Sequence, residues 1–210
     1  MKRVSLIVTF LLTACSVCWA GACTTQSLAA YEAVGFQCNV GSLLFSNFSY
    51  SSSETGAATA PTAAQVTAQQ FSLGNEHGLE FTAAWLSTAG GSDTATLNFT
   101  VSCLGCTITD AELILGGGVK GTGTANLTET ATGLNLVTSA PMFLTDMAGV
   151  MATSLTPTTT LHTTGGNGSG HISGIFDLYS VPEPASLVSL GTALIGVGLI
   201  LGRKLTKRVV

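Results

Sequence analysis

Carboxylates, cysteines and histidines are the residues of this 210-residue chain whose types could carry chemistry, and each set is sparse. Glu76 and Glu80 stand four apart around His77; Asp110 and Glu112 stand two apart, so that in a strand they share one face. Two carboxyl groups can hydrolyse a glycoside, one as acid and the other as base or nucleophile. Solvated loop or strand-edge positions account for both pairs equally well. His77, His162 and His171 have no metal-ligand spacing. No Gly-x-Ser-x-Gly elbow and no Gly-x-x-x-x-Gly-Lys loop occurs. The run Gly165 to Gly170 has the form of a single calcium-binding turn without its Asp, and reads as a hairpin loop. The expectation is a protein that is not an enzyme and uses no metal or other cofactor.

The cysteines number six, but two of them, Cys15 and Cys18, fall in what reads as a removable N-terminal segment. Lys2 and Arg3 precede an apolar run from Val4 to Leu12, and small residues follow as far as Ala20-Gly21-Ala22. This is the pattern of a signal peptide over residues 1–22, with Ala20 and Ala22 marking the cleavage site for signal peptidase. Nine to eleven apolar residues are too few to cross a bilayer of about 30 Å. Leu12-Thr13-Ala14-Cys15 also has the form of a lipobox, but the residues after it stay apolar where a solvated tether would stand. Four cysteines remain, Cys23, Cys38, Cys103 and Cys106, an even number that in an exported domain points to disulfides. Proximity in sequence favours Cys23 with Cys38 and Cys103 with Cys106. Cys103-Leu104-Gly105-Cys106 could otherwise be a redox site or half a zinc site, though its place at a strand end lacks the helix that lowers a redox thiol's pKa.

At the other end Val181-Pro182-Glu183-Pro184 leads into Ala185 to Leu201, a stretch without charge, and then into a basic tail carrying Arg203, Lys204, Lys207 and Arg208. In helix the uncharged stretch rises about 26 Å, near the lower limit for a span. The basic tail acts as a stop-transfer signal and stays in the cytoplasm, so the body lies outside. The prolines fix an extended backbone before the helix, and Glu183 sits at the positive end of the helix dipole. The result is a rigid peptide held at the membrane face, a shape that a membrane protease can read.

These three parts in this order resemble the PEP-CTERM sorting signal, over residues 181–210. The resemblance implies that Pro182, Glu183 and Pro184 are recognised by an exosortase, an integral-membrane thiol enzyme, during export from Gram-negative bacteria that make extracellular polysaccharide. It implies export across the inner membrane, a transient anchor there through the C-terminal helix, and then a place at the cell surface or outside the cell. The segment from Ser27 to Tyr50, with Leu28-x-x-Tyr31, Gly35…Cys38 and Gly41-x-Leu43-x-Phe45-x-x-Phe48, is similar to an opening segment of many such proteins, and implies no activity.

The elements that must position these residues lie between the two ends, in residues 23–180. There 43 of 158 residues are Ser or Thr, and apolar and polar residues alternate. Alternation is clearest at Ala95, Leu97, Phe99, Val101 and Cys103; Leu79, Phe81, Ala83 and Trp85 follow it, as do Ile172, Gly174, Phe176 and Leu178. Weaker strands are expected over 43–50, 66–73, 108–115, 122–130 and 134–138. Gly90-Gly91, Gly116 to Gly118 and Gly165 to Gly168 read as breaks, 51–64 as a loop, and 27–34 as a short helix capped by Ser27. Residues 141–154 show too little period to assign. About eight short strands predict an all-β fold: one antiparallel β-sandwich-like domain, Thr on its solvent faces, between the signal peptide and the transmembrane sorting helix.

Charge narrows the partners. Only 9% of the chain is charged, against about a quarter in an ordinary soluble domain. Residues 23–184 hold eleven acids and one base, Lys120, so no basic footprint exists for nucleic acid. The acidic balance also disfavours acidic polysaccharide unless divalent cations bridge it. Asn47, Asn98, Asn126 and Asn167 open N-glycosylation triplets, and Thr156 to Thr164 offers hydroxyls for O-linked sugar. The expected function is that of an exported, noncatalytic surface or matrix protein, processed by signal peptidase and exosortase, whose Thr-studded faces meet extracellular polysaccharide or biofilm. A carbohydrate-binding module is the alternative, with a glycan-acting hydrolase behind it; Trp85 and Phe99, on the inward sets of their strands, speak against exposed aromatic stacking.

Overall fold

The structure is a computed structural model and describes residues 20–140 and 145–182. Two sheets form, with strands numbered along the chain. The first runs β1 (Gly21–Ala22), β3 (Gln37–Val40), β4 (Leu43–Thr55), β8 (Ser92–Cys103), β14 (Thr158–Thr164), β10 (Thr124–Ala131), β11 (Leu134–Ser139), with β13 (Ser154–Leu155) also on β8. The second runs β12 (Thr145–Ala152), β9 (Ile108–Lys120), β15 (Ser169–Ser180), β7 (Glu76–Thr88), β6 (Thr67–Leu73), β2 (Gln26–Ser27), with β5 (Ala58–Thr59) on β7. All pairings are antiparallel except β1 with β3. Period-2 alternation buries one face of each sheet against the other. Phe45 and Phe99 of the first sheet meet Tyr179 of the second with ring centroids 6.3 and 6.5 Å apart, and Phe99 meets Phe81 at 6.1 Å. The chain is therefore all-β and sandwich-like, as its alternation predicts.

Several local expectations are corrected. The helix is a single turn, α1 (Leu28–Tyr31), and Ser27 makes no side-chain cap. Half of the expected loop over 51–64 is strand, because β4 continues to Thr55 and β5 follows; half-buried Ser52 alternates with exposed Ser51 and Ser53, as a pleat requires. Residues 145–152, unassignable by period, form the edge strand β12. Gly116 to Gly118 is no break but the far part of β9. A Cβ at Gly117 would strike the backbone of His171, and one at Gly118 would lie 2.8 Å from its ring, so glycine there serves close packing within the sheet.

The largest correction concerns β15. Ile172 faces inward as expected, but register shifts between Ile172 and Gly174 put one extra residue of β15 against β9. A bulge of this kind reverses the faces beyond it. Ile175, Asp177 and Tyr179 therefore point into the core, while Phe176 packs outside against Phe71 at 4.8 Å.

Candidate functional site

The C-terminal strand sets the geometry of the sorting segment. β15 is not an edge but lies between β9 and β7, paired on both sides to its last residue, Ser180. Thr109 Oγ1 donates to the Ser180 carbonyl at 3.3 Å, and Ser180 Oγ donates to Glu76 Oε1 at 3.4 Å. Val181 still packs against the core, and Pro182 is exposed. The last residue of β15 thus stands two positions before the first proline of the motif. Glu183, Pro184, the apolar stretch 185–201 and the tail with Arg203, Lys204, Lys207 and Arg208 lie outside the described residues. Among the described residues no helix is long and apolar enough to cross a membrane.

At the N-terminal end residues 1–19 lie outside the described residues. Of the expected cleavage residues, Ala20 is half-buried and its carbonyl accepts a hydrogen bond from Asn39 Nδ2 at 2.7 Å, while Ala22 ends the exposed strand β1. The next residue, Cys23, is bonded to Cys38, with Cα atoms 4.8 Å apart, and Cys103 is bonded to Cys106, with Cα atoms 5.2 Å apart. The first disulfide fastens the start of the body to the first sheet; the second closes the turn after β8.

The outer face of the second sheet collects all four carboxylates singled out by spacing, but in new combinations. Register places Glu76, Ser180 and Asp110 in one row and Gly78, Leu178 and Glu112 in the next. Glu112 is nearly buried and hydrogen-bonds Glu76; burial first, and then this neighbour, push it up to about 7. Glu80 instead accepts from Gln69 Nε2 at 2.6 Å. Glycosidase carboxyls stand roughly 5 to 9.5 Å apart with the scissile bond between them. Glu76 and Glu112 instead interact directly with each other. Among the described residues no group of three or more His, Cys, Asp or Glu could hold a metal ion.

Three buried acids escaped the reading by spacing. Glu129 on β10 and Asp177 on β15 meet between the sheets, both essentially without solvent exposure. Thr159 Oγ1 and Tyr179 Oη donate to Glu129 at 3.4 and 3.5 Å, whereas neither oxygen of Asp177 has a well-formed hydrogen bond to a donor. Burial, and then the charge of Glu129, hold the Asp177 carboxyl well above its usual range. Asp93 is also buried with both oxygens unpartnered, and burial followed by Glu54 pushes it up to about 6. Alternation offered the signal for Glu129, which shares the inward set of Ala125 and Leu127, and for Asp93, which precedes Ala95 and Leu97 in theirs.

The outer face of the first sheet has the opposite character. Register aligns Ser49, Asn98, Thr158, Thr130 and Asn135 in one row across β4, β8, β14, β10 and β11. The next row holds Ser51, Thr96, Thr160, Thr128 and Val137, and the third Ser53, Thr94, His162, Asn126 and Ser139. All are exposed or half-exposed. The fifteen positions carry no Asp, Glu, Lys or Arg, although the body has ten acids. Neighbours along a row are tied together: Thr158 Oγ1 donates to Asn98 Oδ1 at 2.7 Å, Asn98 Nδ2 to Ser49 Oγ at 3.3 Å, and Thr94 Oγ1 lies 2.9 Å from His162 Nδ1.

Comparison with known proteins bears mainly on the C-terminus. Residues 180–204 match the family model of the PEP-CTERM protein-sorting motif. No curated protein matches the chain. Among solved structures, TmCBM61 in complex with β-1,4-galactotriose aligns at 12% identity and a TM-score of 0.31, over 62% of this chain and 88% of that one. The enzymatically active domain of tailspike protein 4 from bacteriophage CBA120 aligns at 15% identity and a TM-score of 0.27, over 65% of this chain and 20% of that one. At these scores neither likeness carries weight for the site.

Proposed function

We propose that this chain, which carries the PEP-CTERM protein-sorting motif over residues 180–204, is an exported, noncatalytic protein that exosortase processes and that acts at the cell surface or in the extracellular matrix, in association with polysaccharide. Signal peptidase removes residues 1–22, the body of residues 23–180 folds and closes its two disulfides, and the stretch 185–201 holds it in the inner membrane until the motif is cut. Arg203, Lys204, Lys207 and Arg208 keep the tail in the cytoplasm.

The matched motif carries this reading, and its placement supports it. β15 is bonded on both sides as far as Ser180, so the peptide that follows leaves from a rigid point with Pro182 exposed. A noncatalytic role is supported by the carboxyls: Glu76 and Glu112 bond each other, and Glu129, Asp177 and Asp93 are buried.

Replacing Pro182, Glu183 and Pro184 together by alanine tests it in the native host. A full-length precursor retained in the membrane fraction is expected. Processing and release at the wild-type level would overturn the proposal.

A further inference from the structure

We infer that the outer face of the first sheet is the surface on which this protein holds polysaccharide, and that its partner is an uncharged, extended glycan lying along the hydroxyl rows, across the strands. The inference rests on the polysaccharide reading above and deepens it.

Charge selects the partner. The five strands β4, β8, β14, β10 and β11 present hydroxyls, amides and one imidazole but no ionised acid or base on this face. The body's acids lie inward, on the opposite sheet or at the rim: Glu129, Asp177 and Asp93 point inward, Glu76, Glu80, Asp110 and Glu112 stand on the opposite sheet's outer face, and Glu32, Glu54 and Asp146 are engaged at the rim by the backbone N–H groups of Tyr50, Ala60 and Val137. An anionic polymer would find no counter-charge here and would be repelled by the remainder of the body. A cationic one would prefer the other face. A neutral glycan, whose groups are all hydroxyls and ring oxygens, meets donors and acceptors of its own kind.

Spacing selects the orientation. Neighbouring strands lie about 4.8 Å apart, so successive hydroxyls in a row recur at about that interval, comparable to the length of one sugar unit in an extended chain. Along a strand the same face recurs only every second residue, roughly 6.7 Å. The row Ser51, Thr96, Thr160, Thr128 therefore offers one hydroxyl per sugar across four strands. Bonds such as Thr158 to Asn98 and Asn98 to Ser49 fix the side chains before a ligand arrives, which reduces the ordering cost of binding. Each hydroxyl contact exchanges one made with water, so its net gain is small. Affinity must come from the number of contacts along a polymer and not from one hot spot.

The test is co-sedimentation of the full chain, in detergent, with an insoluble neutral β-glucan, a mannan and a galactan, against alginate gel as the anionic polymer. At least one neutral polymer should retain the protein, with at least tenfold less on alginate. Thr96→Glu, Thr128→Glu and Thr160→Glu together should lower neutral retention at least tenfold. The triple Thr→Val variant, which keeps shape and strand propensity, should lower it severalfold, and Glu76→Gln should leave it unchanged. Retention that survives both triple variants overturns the assignment of this face while leaving polysaccharide association standing. Retention on alginate equal to that on every neutral polymer overturns the choice of partner. No retention on any of the four overturns polysaccharide association itself, and leaves export by the sorting motif untouched.

Discussion

Asp177 and Glu129 come together from opposite sheets, both buried, and so close a pair requires one of the two carboxyls to keep its proton. Glu129 receives Thr159 Oγ1 and Tyr179 Oη, so it is the better seat for the negative charge, and Asp177 is the protonated partner. The only base in the body is Lys120, exposed at the end of β9. Tyr179 stays a neutral hydroxyl donor beside the pair, since burial, and then the charges of Glu129 and Asp177, raise its own pKa well above the usual value. Two full charges in this space would go uncompensated, which a protein interior does not tolerate.

A falling stability with rising pH follows. Both carboxyls have folded pKa values above their ordinary 4.5 and 3.8, so the folded state holds protons that the unfolded chain has released. Stability is full below about pH 4 and declines as pH rises through the folded values. Asp177→Asn keeps a donor facing Glu129 and removes the titration. Urea unfolding between pH 4 and 8 should show a shallower decline in this variant, and a gain on the order of 1 kcal/mol at pH 8. An unchanged pH slope would be incompatible with the retained proton.

The second carboxyl pair titrates where it can be seen directly. Glu112 is pushed up to about 7, first by burial and then by Glu76. Its carboxyl carbon should shift with a midpoint near neutrality in an NMR titration. With Glu76→Gln the midpoint should move down toward the usual carboxylate range, because the neighbouring charge is gone while part of the burial remains. A midpoint near 4.5 in the wild-type protein would remove the pair from the account.

How much of this was legible in sequence depends on what each residue competes with. In β8 every second residue from Ala95 to Cys103 is apolar, nothing interrupts the pleat, and reading and structure agree. In β14 only Leu161 is aliphatic; the other inward residues are Thr159 and Thr163, both fully buried, so a core strand looked like a hydroxyl tract open to glycosylation. Thr163 is stabilised inside by Ser87 Oγ at 2.7 Å, a partner 76 residues away that no local pattern reveals. In β15 the alternation was visible but its phase was not, because a bulge leaves the same residue types in order while exchanging their faces. Asp177 was hidden by that exchange. The charge-free face was hidden for another reason: its rows exist only once five strands, distant in sequence, are set in register.

The two disulfides should differ in worth. Cys23–Cys38 closes a loop of 15 residues and Cys103–Cys106 a loop of 3. Cross-linking stabilises chiefly by restricting the unfolded chain, and the effect grows with loop length. Paired Cys→Ser changes should therefore cost about 3 kcal/mol at the first bridge and clearly less at the second. The comparison is made by urea unfolding of each double variant. Equal losses would mean that the shorter bridge supports native packing around Leu43 and Cys103, which register sets opposite each other.

Trp85 reports on the same core and on the segment that closes one end of it. Its Nε1 donates to Tyr50 Oη at 2.9 Å, and Tyr50 Oη donates in turn to the Pro61 carbonyl at 2.9 Å, which Ser52 Oγ also reaches at 2.9 Å. Tyr50→Phe removes the middle of this chain and leaves the buried indole N–H without its acceptor, while Pro61 keeps Ser52. A buried donor without a partner costs about 1–3 kcal/mol, so Tyr50→Phe should be destabilising by that amount. Ser52→Ala, which strips only one of two donors from Pro61, should cost well under 1 kcal/mol. The chain contains two tryptophans, and Trp19 precedes the expected cleavage site. In protein lacking residues 1–22, fluorescence is then the signal of Trp85 alone, and it should be blue-shifted in the folded state and red-shifted on unfolding. If Tyr50→Phe proved no more costly than Ser52→Ala, the hydroxyl of Tyr50 would not be what satisfies the indole.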